Sequence, residues 1–234
     1  MLILLYLTYR RIKTLTNHKL FFYPYTDKPC IVGLSMEVNF SKRHPFLKDA
    51  LSITIFIICV LIGTLLINSF VFRSFSVVGP SMEKTLYTGD RLIVNRIPAT
   101  IAQIENKTYT PDRGQVIVFK NPKFTEGIGD EYIVKRVIGL PGERVVLKDG
   151  HYTVYNGQNP NGFNPDDANH GEPGSPTSGA VDTIVPSGEL FVSGDHRQDS
   201  YSYDSRNGLG TIPLYDVVGP VSFRIFPFDH IRSF

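Results

Sequence analysis

The longest uninterrupted apolar run in this chain is Ala50–Phe72, ALSITIFIICVLIGTLLINSFVF, 23 residues with no charge between Asp49 and Arg73. A helix rising about 1.5 Å per residue crosses a hydrocarbon core of roughly 30 Å in about 20 residues, so the run is long enough to span a bilayer. It is apolar on every face, whereas the helix of a soluble core carries one apolar stripe. A cleaved secretory signal is the other alternative. Its apolar region would be shorter and followed by a small-residue cleavage site, which Asn68-Ser69-Phe70-Val71-Phe72 does not supply. The pattern predicts one transmembrane helix over 50–72.

Beyond Arg73 the pattern changes to short runs of β-branched and aromatic residues broken by Gly, Pro and Asn: VVGPSM, RLIVNRI, GQVIVFK, EYIVKRVIGL, ERVVLKDGHYTVYNG, GELFVSGD and DVVGPVSFRIF. Such runs predict a mostly β domain of antiparallel strands over 73–234, with helix limited to one turn near Thr100–Glu105. Asn156–Gly179, NGQNPNGFNPDDANHGEPGSPTSG, has no strand signal. It is expected to be an exposed loop insertion, not a site. Upstream, MLILLYLTY is apolar but too short to span, and no periodicity follows it. Met36 opens a compact basic leader into the span, so the functional chain is expected to start there.

Charge adds orientation. The N-terminal segment 1–49 carries Arg10, Arg11, Lys13, Lys19, Lys28, Lys42, Arg43 and Lys48 against Asp27, Glu37 and Asp49. The excess of basic residues predicts a cytoplasmic N-terminus and an extracytoplasmic β domain. A formal net charge of +2 over 234 residues gives no reason to expect a nucleic-acid partner. Cys30 and Cys59 both precede the β domain, so no disulfide staples it and its core alone must hold it. No His, Cys and Asp grouping has metal-ligand spacing, and no cofactor is expected.

A serine nucleophile needs a base to take its proton. Beyond the span the histidines are His151, His170, His196 and His230, with Asp195 beside His196, so a His triad has to be weighed. Gly79-Pro80-Ser81-Met82-Glu83 lacks the second glycine of a nucleophile elbow. The other available base is a lysine whose charge is disfavoured by apolar surroundings. In EYIVKRVIGLPGE, strand alternation puts Ile133, Lys135 and Val137 on one face and Arg136 on the other. One of two adjacent cations can then be buried while its neighbour stays solvated. On this segment alone, an edge strand whose lysine snorkels to water is the commoner arrangement.

Five blocks in order resemble the type I signal peptidases. GPSMEKTL (79–86) is similar to their nucleophile box S-M-x-P-T-L; GDRLIVNR (89–96) and RGQVIVF (113–119) are similar to the blocks that follow. YIVKRVIGLPGE (132–143) resembles the block of the general-base lysine, and GDHRQDSYSYDSR (194–206) the closing G-D-N-R…S-x-D-S-R block. The resemblance covers nearly all of the chain after residue 50. It implies an antiparallel β catalytic domain behind one membrane anchor, and a serine endopeptidase that removes signal peptides from secretory preproteins after Ala-x-Ala-like sites.

Residue by residue, the resemblance implies Ser81 as nucleophile, its backbone N–H as oxyanion donor, and Lys135 as base. It also implies Ser202 as the serine orienting the lysine amine, with Ser200 as the alternative in register. Asp195, Arg197, Asp204 and Arg206 match structural supports. Phe75, Val77, Met82, Leu86 and Val134 match substrate-binding positions, with Met82 packing beneath the nucleophile. Val134 sits uneasily among them, because alternation turns it from the face of Lys135 unless a bulge or a strand edge intervenes. Lys84 stands for the box proline and Gly79 for a residue that carries a hydroxyl in some members. His196 stands for an asparagine, and two extra residues precede Ser202. The alternatives are a Ser-Lys self-cleaving repressor of the LexA type, which would lack a span, and a tethered β domain that binds partners without catalysis.

Overall fold

The computed structural model describes residues 45–234 apart from 128, 171 and 175. The start expected at Met36 and the basic residues through Arg43 lie outside the described residues. The first element, α1 (Pro45–Phe70), is a helix of 26 residues, roughly 39 Å long. None of its most apolar stretch is buried against the protein, so it is not a core helix. By length and composition it can cross a bilayer. Its last carbonyls, which a helix end leaves unpaired, are taken by one later junction. Arg96 N donates to Val71 O at 2.8 Å, and Thr100 Oγ1 donates to Phe70 O at 2.9 Å.

The β region follows as β1 (Phe72–Ser76), β2 (Arg91–Asn95), helix α2 (Ile97–Ile104), β3 (Val116–Lys120), β4 (Tyr132–Gly139), β5 (Arg144–Lys148), β6 (His151–Tyr155), β7 (Val181–Ile184), β8 (Glu189–Ser193), β9 (Ile212–Pro213), β10 (Val217–Phe226) and β11 (Arg232–Ser233). The larger sheet runs β1-β2-β10-β3-β4-β8-β9, with β11 also beside β10; the smaller runs β6-β5-β7. The pairings are antiparallel, as the short alternating runs predicted.

Alternation along β3 explains why the large sheet is buried on both faces. Val116 and Val118 join Val77, Met82, Leu86, Leu92, Val94 and Val221 in one cluster. Ile117 and Phe119 join Val137, Leu190, Val192 and Ile212 in the other. A third cluster of Ile138, Val145, Leu147, Val154 and Phe191 seats the small sheet against β4 and β8.

Three local expectations change. VVGPSM is not a strand: β1 ends at Ser76, and Gly79 takes φ 88°, a left-handed value that ends the extended run at no steric cost. The turn expected at Thr100–Glu105 is a two-turn helix, opened by Asn95 Oδ1 accepting from Ile97 N at 3.0 Å and closed by Asn106 at φ 53°.

The 156–179 insertion is not simply an exposed loop. It holds a 3₁₀ turn, Pro165–Asn169, in which Asp166 is buried, and Thr177 is buried further on. The reason is charge compensation. Asp166 receives two bonds from Arg197, at 2.9 and 2.6 Å, and both side chains are almost fully enclosed. Removing one partner of such a pair strands a charge in low dielectric, at about 3–5 kcal/mol. Asp166→Ala is therefore expected to lower the unfolding free energy by that amount, read as a lower midpoint in urea unfolding in detergent. Asp167→Ala, an exposed neighbour, should leave the midpoint in place.

Candidate active site

The segment after β1 is wound into a single helical turn. Thr85 N and Leu86 N both donate to Met82 O, at 3.0 and 2.8 Å, and Glu83 N donates to Pro80 O. Positions 82 and 86 lie one turn apart on the same face, and both point inward, fully buried. That leaves Ser81 at the lip of the turn, half-buried, above Met82. Met82 and Leu86 are thus not walls of a substrate cleft, as the resemblance implied; they belong to the core that carries the nucleophile turn.

Lys84 has φ 52°. Proline locks φ near −65° and cannot occupy that geometry, so the departure from the nucleophile box is built into the backbone here. Restoring the box residue is expected to do harm. Lys84→Pro should cost at least about 1 kcal/mol and lower turnover, whereas Lys84→Asn should be tolerated. Melting temperature and kcat for the two variants give the comparison.

Lys135 comes from β4, paired to Ile117 of β3. Its side chain is 3% exposed, so the snorkelling arrangement is excluded. Nζ donates to Ser81 Oγ at 2.8 Å and to Val134 O at 2.8 Å. Burial pulls the amine from the ordinary 10.5 down to about 8, against the opposing pull of Asp204, Asp195 and Asp130. Ser81 Oγ and Lys135 Nζ are within direct proton-transfer distance. None of the hydrogen bonds of the described residues uses the Ser81 N–H, which leaves it available to an incoming oxygen.

Arg136 is not solvated, contrary to the expectation from alternation. It is as buried as Lys135, its Nε donating to Asp195 Oδ1 at 2.7 Å and one terminal nitrogen to Gly114 O at 2.7 Å. Opposite faces of β4 are both interior, and each cation is handled differently. One is neutralised by a carboxylate; the other is left among apolar groups.

The closing block wraps the nucleophile turn from behind. His196 N donates to Ser81 O at 3.1 Å. Gly194 N donates to Asp204 at 2.8 Å, and Gly194 O accepts from Arg197 Nε at 3.0 Å. Burial would raise the Asp204 carboxyl, but bonds from Arg206 and the Gly194 amide hold it below the usual carboxylate range. Arg206 also donates to Arg197 O at 2.8 Å and Ser178 O at 3.2 Å. Asp195, Arg197, Asp204 and Arg206 thus belong to three buried ion pairs beside Gly194: Asp195 with Arg136, Arg197 with Asp166, and Asp204 with Arg206. Ser202 is fully buried, while Ser200 is exposed. The Ser202 hydroxyl lies against Gly194, close enough to Asp204 to help hold that carboxylate ionised, yet in bonding geometry with no partner, Lys135 included.

His196 does not reach Ser81 Oγ through its ring. Nδ1 faces Pro80 O at 3.1 Å, and the ring stacks on Tyr201 with centroids 4.7 Å apart. No group of three His, Cys, Asp or Glu side chains converges among the described residues.

In front of the dyad is a cleft of about 270 Å³, between residues 75–81 on one side and 132–135 on the other. Phe75, Val77 and Val134 line it, with Leu92 and Val118 at its floor. Val134 and Lys135 can both face it because β4 is an edge there. Residues 132–136 pair with β3, but β8 joins only from Arg136 onward. Sequence reasoning missed Tyr201 and Tyr203, which also line the cleft. For Tyr201 the signal was the two extra residues before Ser202; Tyr203, between Ser202 and Asp204, carried none.

The family model described as "Signal peptidase, peptidase S26" matches residues 48–226. Signal peptidase I of Bacillus licheniformis is 34% identical over 182 residues, covering 76% of this chain and 89% of its own length. Signal peptidase I P of Bacillus subtilis subsp. natto is 33% identical over 205 residues, covering 86% and 99%. A signal peptidase I of Enterococcus faecalis V583 with a solved crystal structure is 26% identical, covers 50% of this chain and all of its own, and has a TM-score of 0.37. A family match over three quarters of the chain, with relatives of like length, places this chain among the peptidase S26 signal peptidases, serine endopeptidases of the signal peptidase I type.

Proposed function

We propose that this signal peptidase works through a Ser81–Lys135 dyad and cuts secretory preproteins after small side chains. The observation that carries the reading is the 2.8 Å contact between the buried Lys135 Nζ and Ser81 Oγ at the edge of the cleft. The neutral amine takes the Ser81 proton as Oγ attacks the scissile carbonyl. The Ser81 N–H meets the developing oxyanion. The ammonium then returns its proton to the leaving amine, giving a Ser81 ester. Water, deprotonated by the same amine, attacks that ester and releases the acid.

The open edge of β4 at 132–135 offers unpaired backbone groups to an extended peptide. Walls of Phe75, Val77 and Val134 leave shallow apolar room, which suits Ala-x-Ala-like residues. Ser202, packed against Gly194 beside Asp204, acts on the site through that block and not by a bond to the lysine. Asp195, Arg197, Asp204 and Arg206 hold the frame. Ser81 follows the end of α1 at Phe70 by 81 − 70 = 11 residues, near where the end of a signal peptide leaves the bilayer. Segment 1–49 is read as cytoplasmic, 50–72 as the span and 73–234 as extracytoplasmic.

The test is cleavage of a purified preprotein in detergent. Ser81→Ala should abolish it with the melting temperature kept, while His196→Ala should retain most of it. Full activity in Ser81→Ala would remove the dyad, and loss in His196→Ala would return the base to histidine. A protease site placed in 156–179 should be cut only from outside sealed cells.

A further inference from the structure

We propose that α2 is an interfacial membrane helix, laid into the headgroup boundary of the bilayer that α1 crosses; the inference rests on the reading of α1 as a span. Its sequence IPATIAQI places Ile97, Ile101 and Ile104 at i, i+4 and i+7, on one face. In a water-soluble domain that stripe faces the core. Here no residue of α2 is buried, and the three isoleucines are 39, 49 and 75% exposed.

What covers the stripe follows from where the helix is tied. Arg96 N bonds Val71 O, the Arg96 guanidinium reaches Asn68 O at 3.5 Å, and Thr100 Oγ1 bonds Phe70 O. These acceptors end the apolar run of α1, so α2 is pinned at the level where the span leaves the hydrocarbon. An apolar helical face at that level lies about 5–10 Å into the headgroup and acyl boundary. Phe70 and Phe72, both exposed, continue the same apolar surface from the span. The occupant is therefore lipid. The consequence is a second attachment: α1 anchors the domain, and α2 fixes its tilt, so that the cleft stays at one height above the membrane.

The chain contains no tryptophan, so single substitutions report cleanly. Full-length protein in phosphatidylcholine–phosphatidylglycerol vesicles is compared as Ile101→Trp, Phe56→Trp in mid-α1, and Ile184→Trp on the small sheet. Ile101→Trp is expected to emit blue-shifted and to lose about half its intensity or more to lipids brominated near the headgroup. Phe56→Trp should be quenched by bromines deep in the acyl chains, and Ile184→Trp by neither. An unquenched Phe56→Trp sinks the span itself. A quenched Phe56→Trp with an unquenched Ile101→Trp overturns the α2 assignment alone, including the case where a second protein copy covers the stripe. Ile97, Ile101 and Ile104 changed together to Ser should lower kcat/KM for a vesicle-inserted preprotein about tenfold and spare a short soluble peptide. Equal activity on both substrates would also overturn it.

Discussion

A Lys135→Met variant is expected to be inactive and, at neutral pH, more stable than the parent chain. The same burial that makes the amine a base makes it a cost to the fold. Its pKa falls from 10.5 to about 8, because its charged form is desolvated. The shift corresponds to about 3 kcal/mol carried against folding whenever the amine is protonated. Between pH 8 and 10.5 the unfolded chain holds a proton that the folded chain has released, so parent stability rises with pH through that window. Methionine fills similar volume without charge. Its gain should reach up to about 3 kcal/mol at pH 7, reduced by the bonds lost to Ser81 and Val134, and should vanish above pH 10.5. Urea midpoints at pH 7 and pH 10 give the difference. A variant less stable at pH 7 would mean that the amine is not strained. In the parent, single-turnover cleavage should reach about a tenth of its maximum at pH 7 and half at pH 8. Lys135→Arg, which stays protonated, should be inactive throughout.

Gly194→Ala is expected to reduce kcat by about a hundredfold or more. The φ of Gly194 lies outside the left-handed region, so the constraint is space. A methyl group on it would collide with the Ser202 hydroxyl and with the Ser81 carbonyl. The second contact is backbone, which cannot swing aside. Gly194 is also fixed at both ends, by Asp204 on its N–H and Arg197 on its carbonyl. The turn carrying Ser81 must therefore move. Overpacking of this kind costs about 1–3 kcal/mol in stability, and a displacement near 1 Å at the reacting atoms costs about 10²-fold in rate. Pairing Gly194→Ala with Ser202→Gly removes one of the two collisions and should recover part of the folding loss, but little of the rate. Undiminished turnover by Gly194→Ala alone would show that the turn is not clamped from behind.

Much of this was legible in the chain. Alternation separated Lys135 from Arg136 without saying which face is interior, and it was the resemblance of the surrounding block that marked Lys135; both faces of β4 are interior there. Arg136 was read as solvated because its partner Asp195 lies 59 residues away, and a pairing at that distance leaves no local trace. The same reason hid the bond between Asp166 and Arg197, which turns part of a Pro- and Gly-rich loop into a buried support. VVGPSM looked like a strand by composition, but tertiary contacts wound the nucleophile segment into a helical turn. Met82 and Leu86 then became core, since a period of 3.6 replaces a period of two. The position of Val134 depended on where β8 stops pairing with β4, a fact of topology and not of any residue in the strand.

The clamp behind Ser81 also orders events during synthesis. Ser81 emerges first, then Lys135, and the block that packs behind the serine turn comes last, ending at Arg206, roughly 125 residues after Ser81. At about 5–20 residues per second, some 6–25 s separate the appearance of the serine from that of the final arginine of the frame. Throughout that interval the frame that seats the serine is incomplete. On the proposed dyad, latency is a property of chain order, and proteolysis is expected only when the protein is nearly complete.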